Sequence, residues 1–466
     1  MRRILCRSIG SAILVLAAVA VFTRVSRGNP NGTCQPIWTA LGAGIDGQVF
    51  SSTVFDPDGA GPAPPVLVVG GTFTSAGGQP VNNIAMWDGS AWHPLGTGVD
   101  DAVWALAAFD EDGPGPNPPV LFAGGYFITA GGVVVNNIAR WDGANWSSVE
   151  GGAGGKLRGV LALTVFDENG SGQPALFAGG EFTSMGGIST GHVARWNGTT
   201  WSAVGDVGSP DPFDFVSALA SHDEDGPGPD PPSLFVGGIF SNIGGISASN
   251  IARWDGTTWS DVGGGTNGFV DDLMAFDEDG PGLGLAALFS TGSFSQAGGV
   301  IVNGIGRWNG TSWSSVGGGL DGPGAALAVF DEDGNGANPP RLFLGGNFIT
   351  AGGVTVNYLG RWDGSAWSSL GSGMDARVLS LAPFEPSGPG GGPPALVAGG
   401  VFSSAGGVPA ARVAAWVGCP AGTPTPTPTA SPTPTSTATA TATPTPSPSV
   451  RVTPSPRPRP TPHPRP

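Results

Sequence analysis

One short phrase constrains this chain more than any other feature. Ile-Ala-Arg-Trp-Asp-Gly-x-x-Trp recurs with small changes, its first Trp falling at Trp87, Trp141, Trp196, Trp254, Trp308, Trp362 and Trp416. The step is the same in four of the six intervals and slightly longer in the two that end at Trp196 and Trp254. The second Trp of the phrase stands at Trp92, Trp146, Trp201, Trp259, Trp313 and Trp367. Trp38 precedes Trp92 by the same step that separates Trp92 from Trp146, so it is the second Trp of a unit whose first half is absent. A period of roughly 50 residues means stacked supersecondary units, each unable to bury its apolar face alone.

Each unit holds four short runs rich in β-branched and aromatic residues. In the second unit these are Trp92 to Leu95 (a), Val103 to Phe109 (b), Val120 to Gly124 (c) and Val134 to Trp141 (d). Gly, Pro, Asp or Asn bounds each run, the punctuation of strands and turns. No stretch of the body carries a capped helical period. The pattern predicts an all-β chain, a single seven-bladed β-propeller of four-stranded blades. The last unit stops after strand d, and the orphan strand a at Trp38 is expected to complete it, leaving no open edge. Cys34 and Cys419 flank that junction, and a disulfide between them would lock the ring in an oxidising compartment. Two unrelated thiols is the other reading.

Composition sets the surroundings. The 82 Gly and 45 Pro are not a sign of disorder in the body, because they keep register with 15 Trp and 23 Phe. The net charge of −16 makes nucleic acid an improbable partner. Met1-Arg2-Arg3, the apolar run Ile9 to Phe22 and Ala18-Val19-Ala20 read as a cleavable export signal, so residues 1–30 are expected to be a leader and the mature chain to lack a membrane span. An uncleaved anchor is the alternative. Residues 31–420 form the propeller, and 421–466, built on Thr-Pro, Ala-Thr and Arg-Pro, form an extended low-complexity tail. The expected location is outside the cell or on its surface, as a monomer.

The paired glycines before an aromatic (Gly124-Gly125-Tyr126-Phe127, Gly345-Gly346-Asn347-Phe348), followed by a Trp-rich hairpin, resemble kelch propellers. The fuller pattern adds Asn-Ile-Ala-Arg-Trp-Asp-Gly and Trp-Ser-x-Leu-Gly-x-Gly. It is similar to repeats of large exported bacterial proteins of unknown function and of fungal cortical polarity-marker proteins. The resemblance spans residues 37 to 418 and implies the fold more than a function. The copper chemistry of some kelch enzymes needs Tyr, His and Cys together. Here Tyr126, Tyr358, His93, His192 and His222 stand at different unit positions. The Asp-Gly-x-x-Trp hairpin is similar to the sialidase Asp-box, but its spacing is one residue short and the arginine triad is absent. No nucleophile elbow, phosphate loop or zinc spacing occurs.

Three sets of residues are candidates for function. The b–c loops, mostly Phe-Asp-Glu-Asp-Gly, place Asp110, Asp112, Asp277, Asp279, Asp331 and Asp333 beside a Gly turn. Such carboxylates suit calcium, and they equally suit a tight turn copied with the repeat. Arg140, Arg195, Arg253, Arg307 and Arg361 precede the first Trp and are expected to pair with nearby carboxylates or stack on a ring. The stretch from the second Trp to the end of strand b has one length in five units, as from Trp38 to Phe55 and from Trp92 to Phe109. It is longer in unit three, Trp146 to Phe166, and in unit four, Trp201 to His222. Those longer a–b loops carry Lys156, Arg158, Phe213 and Asp214, and Trp104 adds an aromatic where other units hold Phe50, Leu161, Ser217, Asp271, Ala325 and Leu379. Loops on a rigid scaffold often carry function, so these residues are the expected ligand site. The functional expectation is an exported, non-enzymatic scaffold binding an extracellular protein or glycan. The alternative is a carbohydrate-active hydrolase or lyase with a site of unfamiliar form.

Overall fold

The computed structural model describes residues 35–419, apart from residues 60, 114, 156–158, 169, 171, 206–213, 227, 229–230, 281–283, 335–337 and 387–392. The export signal, Cys34, Lys156, Arg158, Phe213 and the tail from 421 lie outside the described residues. Every described element is a strand. Seven four-stranded antiparallel sheets form, each ordered b-c-d-a from the inside outward, and the chain is a β-propeller. The first blade joins Gln48–Phe55, Val66–Thr72, Ile84–Trp87 and Trp92–Pro94. The inner b strands neighbour one another round a closed circuit, that of the seventh blade (Val378–Phe384) meeting that of the first.

Closure follows the expected route. Ile37–Ala40 pairs with Val413–Val417 as the outermost strand of the seventh blade, Trp38 standing opposite Trp416. In every blade the two Trp rings lie 5.2 to 5.5 Å apart. The outer Trp donates its indole N–H to a backbone carbonyl of the preceding blade at 2.9 to 3.2 Å. Trp92 does so to Leu41, and the series ends with Trp38 to Leu370. These Trp are buried, as expected for large aromatics filling gaps between sheets.

The double glycine of strand c has two separate causes. A β-carbon on the first would lie 2.4 to 2.5 Å from a Val methyl on the next blade: Gly70 against Val103, Gly124 against Val160, Gly399 against Val49. One blade boundary reverses the sizes, with Thr291 on strand c and Gly324 opposite. A β-carbon on the second glycine would meet the carbonyl oxygen that precedes strand b or begins it, at 1.9 Å for Gly71 and Gln48 and 2.0 Å for Gly125 and Ala102. That close approach accompanies a β-bulge at the start of every b strand, between Val49 and Ser51, Val103 and Ala105, and so on round the ring. One element differs from expectation: strand d of the second blade begins at Ile138, not Val134. Asn136 and Asn137 adopt φ of 53° and 73°, which breaks the run and leaves Val133–Val134 in a separate two-residue ladder.

Candidate functional site

The bulge decides what faces the axis. In a regular strand alternate side chains point to opposite faces. An extra residue lets the strand re-aim one of them. The bulged residue in the seven blades is Phe50, Trp104, Leu161, Ser217, Asp271, Ala325 and Leu379, and all seven line one central cavity of about 510 Å³. The cavity opens among the starts of the b strands, on the face of the a–b loops. Gln48, Phe215 and Phe269, two residues earlier on their strands, and Arg377, just before its own, form its rim with Tyr126 and Glu181, each just after a c strand.

The walls are unequal, because these positions depart from the repeat. On one side Phe50 stacks on Trp104 with ring centroids 4.3 Å apart and planes 16° off parallel, and Tyr126 meets Trp104 edge-on at 6.3 Å. Trp104 is 40% exposed and Tyr126 36%. Phe215 and Phe269 form an edge-to-face pair at 5.4 Å. Burial, and then Glu181 beside it, hold the Tyr126 hydroxyl above its usual range.

Asp271 and Asp272 supply the acid side. Burial, and then the charge of Asp272, push Asp271 up to about 7. Burial likewise pushes Asp272 up to about 7, against backbone N–H bonds from Leu327 at 2.7 Å and Leu273 at 2.8 Å. A second chamber of about 210 Å³ continues along the axis past Asp272, Ser51 and Ser380. Trp104 is thus a wall of the cavity. Asp214 is described and half-buried, and is not among the lining residues. Lys156, Arg158 and Phe213 lie outside the described residues. Asp272 was missed by sequence reasoning, although two adjacent Asp in a strand where other units carry Ala or Ser was a visible departure.

The acidic loops turn inward on themselves. The amide of Asp112 donates to Asp110, and Asp112 accepts from the Asn117 side chain at 2.7 Å. Asp333 does the same with Asn338 at 2.6 Å. Asp110 and Asp331 are raised, by burial and by sharing a hydrogen bond with Asp112 and Asp333, Asp331 to about 6. Asp277 is raised first by Asp279 and then by burial. The intervening Glu leaves the loop altogether. Glu111 pairs with Arg140 of its own blade and accepts from the Trp196 indole of the next at 3.0 Å. Glu278 repeats this with Arg307 and Trp362, and Glu332 with Arg361 and Trp416. Where strand d carries Met86 or Ala415 in place of Arg, the loop carries Pro57 or Pro386 in place of Glu. Arg and Glu are present together or absent together within a blade, and Glu111, Glu224, Glu278 and Glu332 also tie their blade to the next through its Trp. Among the described residues no group of three or more His, Cys, Asp or Glu comes together as a metal site.

No family model and no curated protein sequence matches the chain. Among solved structures it is similar to BBS1N, crystallised in complex with ARL6DN, at 12% identity and a TM-score of 0.47, over 82% of this chain and 97% of that one. It is also similar to the GH74 xyloglucanase from Xanthomonas campestris at 15% identity and a TM-score of 0.44, over 78% of this chain and 53% of that one. No residue role passes from either to this chain.

Proposed function

We propose that the chain is an exported, non-enzymatic propeller that binds a glycan at the aromatic mouth of its central cavity. The observation that carries this reading is the Phe50–Trp104–Tyr126 wall facing polar groups of mixed kind, Gln48, Ser217, Asp271 and Arg377, in one pocket. A sugar ring has an apolar face that stacks on aromatic rings and a rim of hydroxyls that needs both donors and acceptors. The volume suits a short oligosaccharide. The reading calls for no metal. An oligosaccharide array probed with the full chain and with Trp104→Ala tests it. Trp104→Ala is expected to weaken binding about 30-fold, the cost of losing a Trp anchor. Binding untouched by the substitution, or no binding to any sugar, would overturn it. A hydrolytic reading has one observation in its favour, a carboxyl at Asp271 that keeps its proton near neutral pH as a general acid must. Sugar cleavage that Asp271→Asn abolishes would replace binding with catalysis.

Export and the Cys34–Cys419 disulfide belong to the same reading. The strand register supports the pairing: Ile37 stands opposite Val417, so two residues further out position 35 would face Cys419, with Cys34 next to it. Intact mass before and after reduction is expected to differ by two hydrogens. The reduced protein should melt lower, because the bridge would close a loop of nearly the whole propeller, worth about 6 kcal/mol in the chain-entropy estimate. Two alkylatable thiols in the protein as secreted would refute the bridge.

A further inference from the structure

We propose that the cavity selects sugars bearing a free protonated amine, with the ammonium seated at Asp271 in front of Asp272 and the sugar ring against Trp104. The proposal rests on the glycan reading and names its substrate class.

The argument begins with position. At the bulged register, six blades carry Phe, Trp, Leu, Ser, Ala and Leu, and only the fifth carries a carboxylate, Asp271. One residue on, the other blades carry Ser or Ala, and only the fifth carries another, Asp272. The bulge between Val270 and Asp272 brings both acids to the channel, where a regular strand would send one into the blade. Two neighbouring carboxylates in a desolvated channel cost stability unless a cation compensates them. The two are not equivalent. Asp272 is held by the amides of Leu273 and Leu327. Asp271 has no hydrogen bond or ion pair among the described residues. The carboxylate held by backbone amides sits behind, and the unengaged one faces the cavity.

The inner chamber adds a desolvated end to the channel. Ser51 and Ser380, 8% and 6% exposed, line the inner chamber, and their hydroxyl oxygens have no hydrogen-bond partner among the described residues. Both oxygens are themselves buried against strand c, 2.8 and 2.5 Å from where a β-carbon on Gly70 or Gly399 would stand, so the inner end of the channel is desolvated around Asp272. A hard metal ion would want six to eight oxygens, and the aromatic wall offers it none. An organic ammonium uses both walls, since aromatic faces also attract cations. The charged and titratable groups that face Asp271 are Asp272, Glu181, Tyr126 and Arg377. Among the described residues Arg377 is the only cation lining the cavity, and it forms no ion pair with Asp271.

The pH dependence has a definite sign. Asp271 lies near 7, so acid protonates it and removes its attraction for an ammonium. Titration calorimetry on the full chain with a β-1,4-linked glucosamine trisaccharide and with its N-acetylated form tests the proposal. The free amine is expected to bind at least about tenfold tighter at pH 7 and to lose about that advantage by pH 5, the scale of one neutralised charge partner. Asp271→Asn should equalise the two sugars, while Trp104→Ala weakens both. Equal affinity of both sugars for the wild type, or a preference that survives Asp271→Asn, would overturn the amine assignment and leave the glycan reading standing. Binding of a lysine tripeptide with neither sugar bound would overturn both.

Discussion

Gly324→Val is expected to destabilise the propeller by about 3 kcal/mol, and Thr291→Gly introduced beside it should recover most of the loss. The reason is a size exchange. At the other blade boundaries a glycine of strand c faces a valine of the next strand b, as at Gly124 and Val160. At this boundary Thr291 faces Gly324, and a β-carbon at 324 would lie 1.9 Å from the Thr291 hydroxyl oxygen. The valine therefore has no room while the threonine remains. Thr291→Gly alone should cost about 1–2 kcal/mol, because it removes the hydroxyl bond to the Gly304 carbonyl at 2.8 Å, leaving that carbonyl only the Gly292 amide, and puts a flexible residue in a strand. The double variant rebuilds the glycine–valine contact found at the other boundaries. Thermal melts of the four proteins should give a coupling of about 3 kcal/mol in favour of the double variant. Simple addition of the two losses would show that the contact is not what sets these residue sizes.

That exchange also marks how far the sequence could be read. Strands, repeat number and ring closure were legible, because each is written in spacing: Trp38 precedes Trp92 by one repeat step and takes the matching place in the seventh blade. The pairing of the arginines with carboxylates was legible as a class. Its partner was not, because Glu111 also reaches Trp196, far along the chain in the next blade, and a loop read locally shows only clustered acid. The signal that could have named the Glu as the partner was internal, the joint loss of Arg and Glu at Met86 with Pro57 and at Ala415 with Pro386. The cavity was legible only in part. Trp104 stood out from the other Trp, which all keep register. Which neighbours it joins depends on a bulge, and a bulge is a register event between two strands that one strand's residues do not announce. The second glycine of each pair was its only trace.

Trp38→Ala is expected to open the ring, an effect no equivalent substitution should share. Truncating a buried Trp costs about 3–5 kcal/mol wherever it sits. At Trp259 the strand that carries it is tied to Ile251–Trp254 by a covalent hairpin, so the blade should loosen and remain closed. Ile37–Ala40 has no such hairpin to Val413–Val417 and is held by pairing, by the Trp38–Trp416 contact and by the indole bond to Leu370. Removing the indole takes away the last two together. Strand Val413–Val417 would then become an exposed edge, free to exchange its amides and to pair with a second copy. Hydrogen exchange should therefore accelerate in Val413–Val417 for Trp38→Ala and not for Trp259→Ala. The difference should grow under reducing conditions if Cys34 and Cys419 are bridged. Equal protection of that strand in both variants would mean that pairing alone holds the closing strand and that the Trp contributes only its buried volume.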